Sequence, residues 1–484
     1  MFVSVRELKM SSFDPENHST PSPTAEKLIQ YLATLSATLA AVTAGNYLGW
    51  SSPALPLYNQ KDTLTLVDDE QSWVGSLLPL GALVGAIPAG WIADKVGRKK
   101  AILMIGVPYL ICWFIIGFAP SPLWLFVARF FAGAAIGATT VVVPLYVSEI
   151  AEPAIRGTLG ALFQLQITIG ISLGYLTGLI KNLKWIAVTS ALTPAALLLV
   201  FLFMPETPVW LIGQDRRDDA ERAMERLRGK SYPFPQELAQ LESNRKSQRM
   251  QKASFAELKN HKRAVLISFG LMILQQLSGI NAVIFYAEEL FKAEGSALSP
   301  TACTGIMGVA QVFATCVSML LIDKAGRRIL LMTSSSVMGL CLIAVALHFY
   351  FQSGVQSTGI PWAPLIFLTI YVIMFAIGFG PVPWIMVNEV SPTNVVGTIG
   401  SAAAMLNWSL AFAVTKIFIN MKLVIGLPLS FGMFALICLT GTIFIAAIIP
   451  ETKGKTREEI QMKLHRIRKM ETKNDTVAND QTTL

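Results

Sequence analysis

The segment Gln275–Tyr286, with the sequence QQLSGINAVIFY, lies inside an apolar run from about residue 265 to 287. Such a run can cross the roughly 30 Å hydrocarbon core of a bilayer. Its three carboxamides, Gln275, Gln276 and Asn281, are costly in hydrocarbon unless they face a partner or a watery cavity. An ideal helix would point them in three directions, so we expect Gly279 to break the helix and let them converge. Since an amide both donates and accepts hydrogen bonds, converging amides suit a ligand rich in hydroxyl groups; the alternative is that they bond neighbouring helices.

The composition indicates that the whole chain is a membrane protein. Of the 484 residues, 53% are hydrophobic and 14% are charged, and the mean hydropathy is +0.53. The net charge of +8 comes from basic residues beside the ends of apolar runs, so it does not indicate nucleic-acid binding. The five cysteines and four histidines show no metal-ligand spacing, and there is no phosphate-binding loop or nucleophile–base pair. The sequence therefore predicts no enzyme, no metal site and no cofactor.

Twelve apolar runs follow a polar N-terminal tail. They centre on 31–52, 72–93, 101–119, 122–147, 158–180, 185–204, 264–287, 302–322, 329–351, 364–387, 398–419 and 425–449. Cationic segments after runs two, six and eight place both termini in the cytoplasm by the positive-inside rule. We expect a cytoplasmic N-terminal tail (1–30), a six-helix bundle (31–205), a cytoplasmic helical linker (206–263), a second six-helix bundle (264–449) and a cytoplasmic C-terminal tail (450–484).

Three charged motifs recur in the same order in the two halves of the chain. The paired positions are Asp94 and Asp323, Glu149 and Glu389, and Glu206 and Glu451. Their offsets rise slowly from 229 to 245 residues, as expected if six helices were duplicated and the loops then changed length. Two six-helix halves joined by a basic linker form the architecture of alternating-access transporters.

At these motifs the chain resembles the sugar-porter family of the major facilitator superfamily. The resemblance extends from about residue 45 to 460 and includes the segments DKVGRKK, DKAGRR, PETP, QQLSGINAVIFY, GFGPVPW and PETKGKTREEI. Within the family, the short loops and the GFGPVPW run are most similar to the insect facilitated sugar and trehalose carriers. The resemblance implies an all-α membrane protein with the major facilitator fold, acting as a monomer in the plasma membrane.

The family pattern implies a sugar-binding cavity at mid-membrane between the halves. The substrate-binding residues carried over from the pattern are Gln164, Gln275, Gln276, Asn281, Trp384 and Asn407. An indole beside amides suits a pyranose, whose C–H face it can cover, although Trp384 could instead anchor its helix at the interface. Phe285 and Tyr286 resemble the gate on the extracellular side. Many hexose carriers have Asn where this chain has Gly308, and Gln311 lies one turn further on. Glucose, fructose, trehalose and polyols all stay open as substrates.

The charged turns resemble the latch that closes the family's cytoplasmic gate when the cavity faces outward. The expected latch consists of Asp94, Arg98, Glu149, Arg156, Glu206, Asp323, Arg327, Arg328, Glu389 and Glu451. Two basic positions of the family pattern are occupied by Val209 and Val396. We therefore expect the second half to be one cation short, which would bias the resting state toward inward-facing. The alternative is that Lys455 or another base compensates.

The transport implied by the resemblance is expected to be passive. Proton-coupled carriers need a titratable group within the membrane, and the corresponding region of the first run holds Asn46 and Tyr47. Asp and Glu residues lie at run ends, and Ala376 stands where many relatives have Glu. The sequence therefore predicts facilitated diffusion of a neutral hexose or disaccharide, with proton symport and a non-transporting sugar sensor as alternatives.

Overall fold

The computed structural model describes residues 26–58, 64–229, 232, 234–248, 261–292, 298–352 and 362–464. Within these ranges the chain is helical, and no strand is present. The expected N-terminal tail lies almost entirely outside the described residues, as do the linker segment 249–260 and the C-terminal tail from residue 465.

The first half contains six membrane-length helices, and a linker of three shorter helices follows it. The first six are α1 (Leu28–Leu57), α2 (Asp68–Val96), α3 (Arg98–Gly117), α4 (Pro122–Ile150), α5 (Arg156–Thr177) and α6 (Leu183–Phe201). The linker helices are α7 (Pro208–Gly213), α8 (Arg217–Arg228) and α9 (Pro235–Gln248). The linker is tied to the first half by the buried Arg228, whose guanidinium donates to the Ile150 carbonyl and pairs with Glu237.

The second half contains broken helices. Its elements are α10 (Lys262–Leu277), α11 (Ile280–Lys292), α12 (Pro300–Ala325), α13 (Arg327–Gln352), α14 (Ala363–Met374), a π-helical turn (Phe375–Phe379), α15 (Val382–Val390) and α16 (Val396–Ile448). At 1.5 Å per residue, the 53 residues of α16 would extend about 80 Å, more than twice the thickness of a bilayer core. Gly426, with φ +78°, divides α16 into two spans. With α10–α11 and α14–α15 each taken as one broken span, the described residues form twelve spans, and the predicted fold class is confirmed.

Close helix packing in the first half depends on small residues. A Cβ atom at Gly45 would lie 2.1 Å from the Ile167 carbonyl oxygen, and one at Gly170 would lie 2.1 Å from that of Val42. The backbones of α1 and α5 are therefore in contact, and α2 and α4 meet in the same way at Gly133. Such small-residue interfaces let helices associate inside a membrane, where burial of apolar side chains gives little driving force.

The two ends of the bundle differ in how the halves meet. We call the end with the Arg98 and Arg327 turns the basic end, and the opposite end, where α1 ends and α2 begins, the gate end. Polar contacts cross between the halves at the gate end: the Tyr175 hydroxyl donates to the Ile284 carbonyl at 3.1 Å. At the basic end, a Cβ atom at Gly157 of α5 or Gly397 of α16 would meet no atom within 4 Å. The halves are thus in contact at the gate end, and at the basic end there is open space beside these two glycines.

Candidate functional site

Four carboxamides form one hydrogen-bonded cluster between α10, α11 and α16. Gln276 Nε2 donates to Asn407 Oδ1 at 2.9 Å, and Asn407 Nδ2 donates to Gln275 Oε1 at 2.8 Å. Asn281 Nδ2 donates to Gln276 Oε1 at 2.5 Å. The expected break lies between these residues, since Gly279 has φ +89° and a Cβ there would lie 2.5 Å from the Phe434 ring. A glycine is required at this position both by the backbone and by the neighbouring ring.

Gln275 also bonds a neighbouring helix, which is the alternative that the sequence left open. Its Nε2 donates to the carbonyls of Phe379 and Gly380 at 2.8 and 2.9 Å. These carbonyls lie where the π-helical turn passes into α15, so the helix cannot satisfy them internally. Gln275 therefore holds a broken helix in place, whereas within the described part of the chain Gln276 and Asn281 bond other side chains.

The two remaining predicted substrate residues lie on different halves of the chain. Trp384 belongs to α15 and is 36% exposed, and Gln164 belongs to α5 and is partly exposed. Their exposure, unlike the near-complete burial of Gln275 and Asn407, leaves them accessible in this state.

Gln311 of α12 is a further candidate binding residue. It is 2% exposed, and its side-chain oxygen Oε1 has no hydrogen-bond partner among the described residues. A buried acceptor without a partner is unfavourable by about 1–3 kcal/mol unless water or a ligand satisfies it. The sequence signal for Gln311 was its position one turn beyond Gly308, which alone did not separate it from a packing residue.

The predicted gate residues are buried beside the carboxamide cluster, toward the gate end. Phe285 and Tyr286 are each 1% exposed. The Tyr286 ring stacks on Phe418 with 5.4 Å between centroids, and its hydroxyl donates to the Thr415 carbonyl at 3.3 Å. The same hydroxyl approaches α2, because a Cβ atom at Gly75 would lie 2.7 Å from it. The gate residue of the second half therefore fits against a position in the first half that only glycine fills without strain.

A buried arginine near the gate has neutral partners. Arg129 of α4 is 0% exposed and donates to the Val74 carbonyl, the Tyr47 carbonyl and the Ser51 hydroxyl at 2.6–2.9 Å. It also lies 5.2 Å from the centre of the Trp50 ring. The α1 hydroxyl that accepts from this cation is thus that of Ser51, one turn beyond the Asn46–Tyr47 region singled out in the sequence. Neither Ser51 nor the two carbonyls titrate near neutral pH.

The basic end of the first half holds an ion-pair network. Arg98 donates to both carboxylate oxygens of Glu149 at 2.9–3.1 Å and pairs with Asp94 at 2.9 Å. The Thr207 hydroxyl donates to Glu149 Oε2 at 2.5 Å, so both oxygens of Glu149 are bonded. Arg156 donates to the Ala151 carbonyl at 3.3 Å. In the present state these bonds connect helices of the first half to one another.

The second half repeats this network with one donor fewer. Arg327 pairs with Glu389 at 3.1 Å and with Asp323 at 3.3 Å. The hydroxyl of Thr452, which corresponds to Thr207, points to the Met386 sulfur at 3.5 Å rather than to the carboxylate. Glu389 Oε2 is consequently buried without a hydrogen-bond partner in the described part of the chain.

The two glutamates of the PET motifs differ in their electrostatics. Burial raises the pKa of Glu206 above its usual value, despite hydrogen bonds from the backbone N–H groups of Thr207 and Lys99. Burial also acts to raise the pKa of Glu451, but four backbone N–H groups outweigh it and lower the pKa. These donors belong to Lys453, Arg327, Arg328 and Thr452. Lys455 donates to the backbone carbonyl of Glu451 at 2.6 Å, so its ammonium group is engaged there.

Comparison with known proteins identifies the family. The model of the family described as "Sugar (and other) transporter" matches residues 29–464. The facilitated trehalose transporter Tret1 of Bombyx mori is 37% identical over 461 residues, which cover 94% of this chain and 91% of that protein. Tret1 of Anopheles gambiae is also 37% identical, over 91% of this chain and 57% of its own length. This chain therefore spans little more than half of that longer relative.

Solved structures match the fold at lower sequence identity. The inward open conformation of the xylose transporter XylE from E. coli has a TM-score of 0.75 at 21% identity, covering 89% of this chain and 98% of that chain. A D-xylose–proton symporter has a TM-score of 0.68, also at 21% identity. Together, the family match over most of the chain and the Bombyx mori relative spanned almost completely show that this chain belongs to the sugar (and other) transporter family, and the solved structures show that it shares the fold of XylE.

Proposed function

We propose that the protein is a facilitative sugar transporter, a uniporter that moves a neutral hexose or a disaccharide such as trehalose down its gradient. The observation that carries the proposal is the cluster of four carboxamides beside the Gly279 break, which offers donors and acceptors without a titratable group. A neutral cluster fits a neutral polyhydroxylated ligand. The trehalose transporters named above support the disaccharide as one candidate.

The substrate residues divide into two roles in this proposal. Gln164, Gln276 and Asn281 supply hydrogen bonds to sugar hydroxyls, and the exposed indole of Trp384 covers the C–H face of the ring. Gln275 holds the broken helix in position, because its Nε2 donates to the Phe379 and Gly380 carbonyls, and Asn407 joins Gln275 to Gln276 within the cluster. Phe285 and Tyr286 act as the gate.

Alternating access follows if the basic end faces the cytoplasm, as the excess of Lys and Arg there favours. The present state is then inward-facing, with both termini cytoplasmic and the gate end toward the extracellular side of the plasma membrane. The networks of Arg98 and Arg327 act as latches at the inner gate when the cavity turns outward. We propose that a single chain carries out the cycle.

A specific feature keeps proton symport as the second candidate. Glu288 of α11 lies at the gate, where its backbone N–H donates to the Ser52 hydroxyl of the first half at 2.9 Å. Its Oε1 accepts a hydrogen bond from Thr301, and its Oε2 is buried without a partner in the described part of the chain. A proton-coupled mechanism would require this carboxylate, or another, to bind and release a proton during each cycle. The neutral partners of Arg129 favour the passive mechanism.

The substrate is tested by uptake into proteoliposomes containing the purified protein. We expect radiolabelled trehalose or a hexose to enter, to compete with unlabelled sugar, and to be unaffected by excess charged sugar phosphates. Glucose, fructose, trehalose and a polyol form the panel. If none of them is transported while the protein remains folded, the proposed function is wrong.

We predict that Val396→Arg shifts the protein away from the state that is open at the basic end. Val396 stands where the family pattern has a basic residue of the inner latch, which acts when the basic end is closed, and the neighbouring Gly397 leaves room for a longer side chain. An additional partly exposed ion pair contributes about 0.5–1 kcal/mol, or roughly a two- to fivefold change in the ratio of the two states. The readout is the labelling rate of Thr158→Cys, at an exposed position of α5, by a thiol reagent on the cytoplasmic side.

The matched control for this prediction is Val396→Gln, which adds a polar side chain without charge. In this control, we expect Thr158→Cys to be labelled at the same rate as in the chain that keeps Val396. Equal labelling and equal transport kinetics in Val396→Arg and Val396→Gln would show that no cation is missing from the second latch.

A further inference from the structure

An ion pair at the gate end joins the two halves of the bundle. Lys416 Nζ of α16 lies 2.6 Å from Asp69 Oδ1 of α2, although the two residues are 347 positions apart in the chain. The same ammonium group lies 4.1 Å from the centre of the Trp73 ring, one turn along α2. The Lys416 side chain is only 19% exposed, against 67% for Asp69. The cation is therefore held between a carboxylate and an aromatic face of the opposite half.

The backbone of α16 is bound at the same place. The Ser72 hydroxyl of α2 donates to the Lys416 carbonyl at 3.0 Å, and the rings of Trp73 and Phe412 lie 6.4 Å apart. Residues 69, 72 and 73 share one face of α2, because residues three and four apart are neighbours on a helix. One turn of α2 thus contacts one turn of α16 through both the side chain and the backbone of Lys416.

This pair differs from three other ion pairs near the ends of the spanning helices in what it connects. Arg98 and Arg327 pair with acids of their own halves, and Lys422 pairs with Glu289 within the second half. The bond between Asp69 and Lys416 must break whenever the halves separate at the gate end. We propose that Asp69 and Lys416 form an extracellular latch that holds the gate closed and limits how readily the transporter opens outward.

The latch deepens the proposed function, because it matters only if the gate end opens and closes during transport. An ion pair with one exposed partner contributes modestly, and a lysine on a tryptophan face adds a comparable amount. Removal of the lysine is expected to raise the open fraction at the gate end about three- to tenfold. Removal of the carboxylate alone should have a smaller effect, because the contact with Trp73 remains.

The test measures gate opening directly through a cysteine at Ser52. Ser52 is 1% exposed, and its hydroxyl accepts the bond from the Glu288 N–H across the interface, so it becomes accessible only when the gate opens. A membrane-impermeant thiol reagent is added on the extracellular side, and the chain without Ser52→Cys gives the background from the native cysteines. We expect Asp69→Asn and Lys416→Gln to increase the labelling rate, with the larger increase for Lys416→Gln.

Two further variants decide whether the pair acts as a unit. The double variant Asp69→Asn/Lys416→Gln should label no faster than Lys416→Gln, since one interaction cannot be lost twice. Lys184→Gln, which removes an exposed lysine of α6 at the gate end, should leave the labelling rate of Ser52→Cys unchanged. Unchanged labelling in both single variants, or effects that multiply in the double variant, would overturn the latch.

Sugar flux measured on the same variants separates this proposal from the proposed function. If the parent chain carries sugar but labelling does not respond to the substitutions, the latch is wrong and sugar transport stands. If labelling responds as expected but the parent chain carries no sugar of the panel, the latch stands and the proposed transport function is wrong.

Discussion

Gln276→Leu is expected to lower sugar flux at low substrate concentration by about 10- to 100-fold. Leucine has nearly the same size but cannot donate or accept a hydrogen bond, so it removes the donor to Asn407 and the acceptor for Asn281. A ligand hydroxyl buried without its partner loses about 1–3 kcal/mol, which corresponds to this range. Initial uptake rates in proteoliposomes measure the effect, with the apparent KM for the sugar as the parameter that rises.

Two comparisons make this prediction specific. Gln71→Leu removes a buried amide that bonds the Leu66 carbonyl at the start of α2, and its flux should stay within about threefold of the parent. Gln275→Leu should instead lower the thermal stability, because the carbonyls of Phe379 and Gly380 lose their donor. If sugar flux in Gln276→Leu were normal, the carboxamide cluster would not be part of the sugar-binding site.

Gly75→Ala is expected to reduce flux roughly tenfold or more by preventing closure of the gate. The added methyl group would lie 2.7 Å from the Tyr286 hydroxyl oxygen, and Tyr286 is packed against Phe418 and cannot retreat. Overpacking of this kind costs about 1–3 kcal/mol, and here the cost falls on the closed state alone. Uptake rates and the extracellular labelling of Ser52→Cys should change in opposite directions, with slower uptake and faster labelling.

The rescue variant for this prediction is Gly75→Ala/Tyr286→Phe. Removal of the hydroxyl oxygen leaves the ring carbon Cζ as the nearest atom, at 3.5 Å, which is an ordinary contact. Flux should therefore recover to near that of Tyr286→Phe alone, which loses only a 3.3 Å hydrogen bond to Thr415. A double variant as slow as Gly75→Ala would place the cause of the defect elsewhere than at the gate.

Local patterns in the sequence were sufficient to predict the membrane architecture. Twelve apolar runs, duplicated charged turns and a glycine among amides each have a direct physical consequence: a span, a repeat and a helix break. The structure has the break at Gly279, and α16 divides at Gly426 into the last two predicted spans. These features depend on residues close together in the chain.

Contacts between distant segments could not be read from the sequence. Gln275 bonds the Phe379 and Gly380 carbonyls because α14 and α15 are separated by a π-helical turn at that depth, which no spacing indicated. Ser51 faces Arg129 because of how α1 crosses α4, although Asn46 and Tyr47 were the more conspicuous polar residues. Asp69 pairs with Lys416 because the two halves of the bundle meet at the gate end, and no local pattern in the sequence indicates that contact.

The passive mechanism is tested most directly by the final sugar concentration in proteoliposomes under an imposed pH gradient, acidic outside. We predict that the internal concentration of the transported sugar rises to the external value and stops there, and that Glu288→Gln behaves in the same way. Accumulation above the external concentration that disappears when the gradient is collapsed would contradict uniport and establish proton coupling.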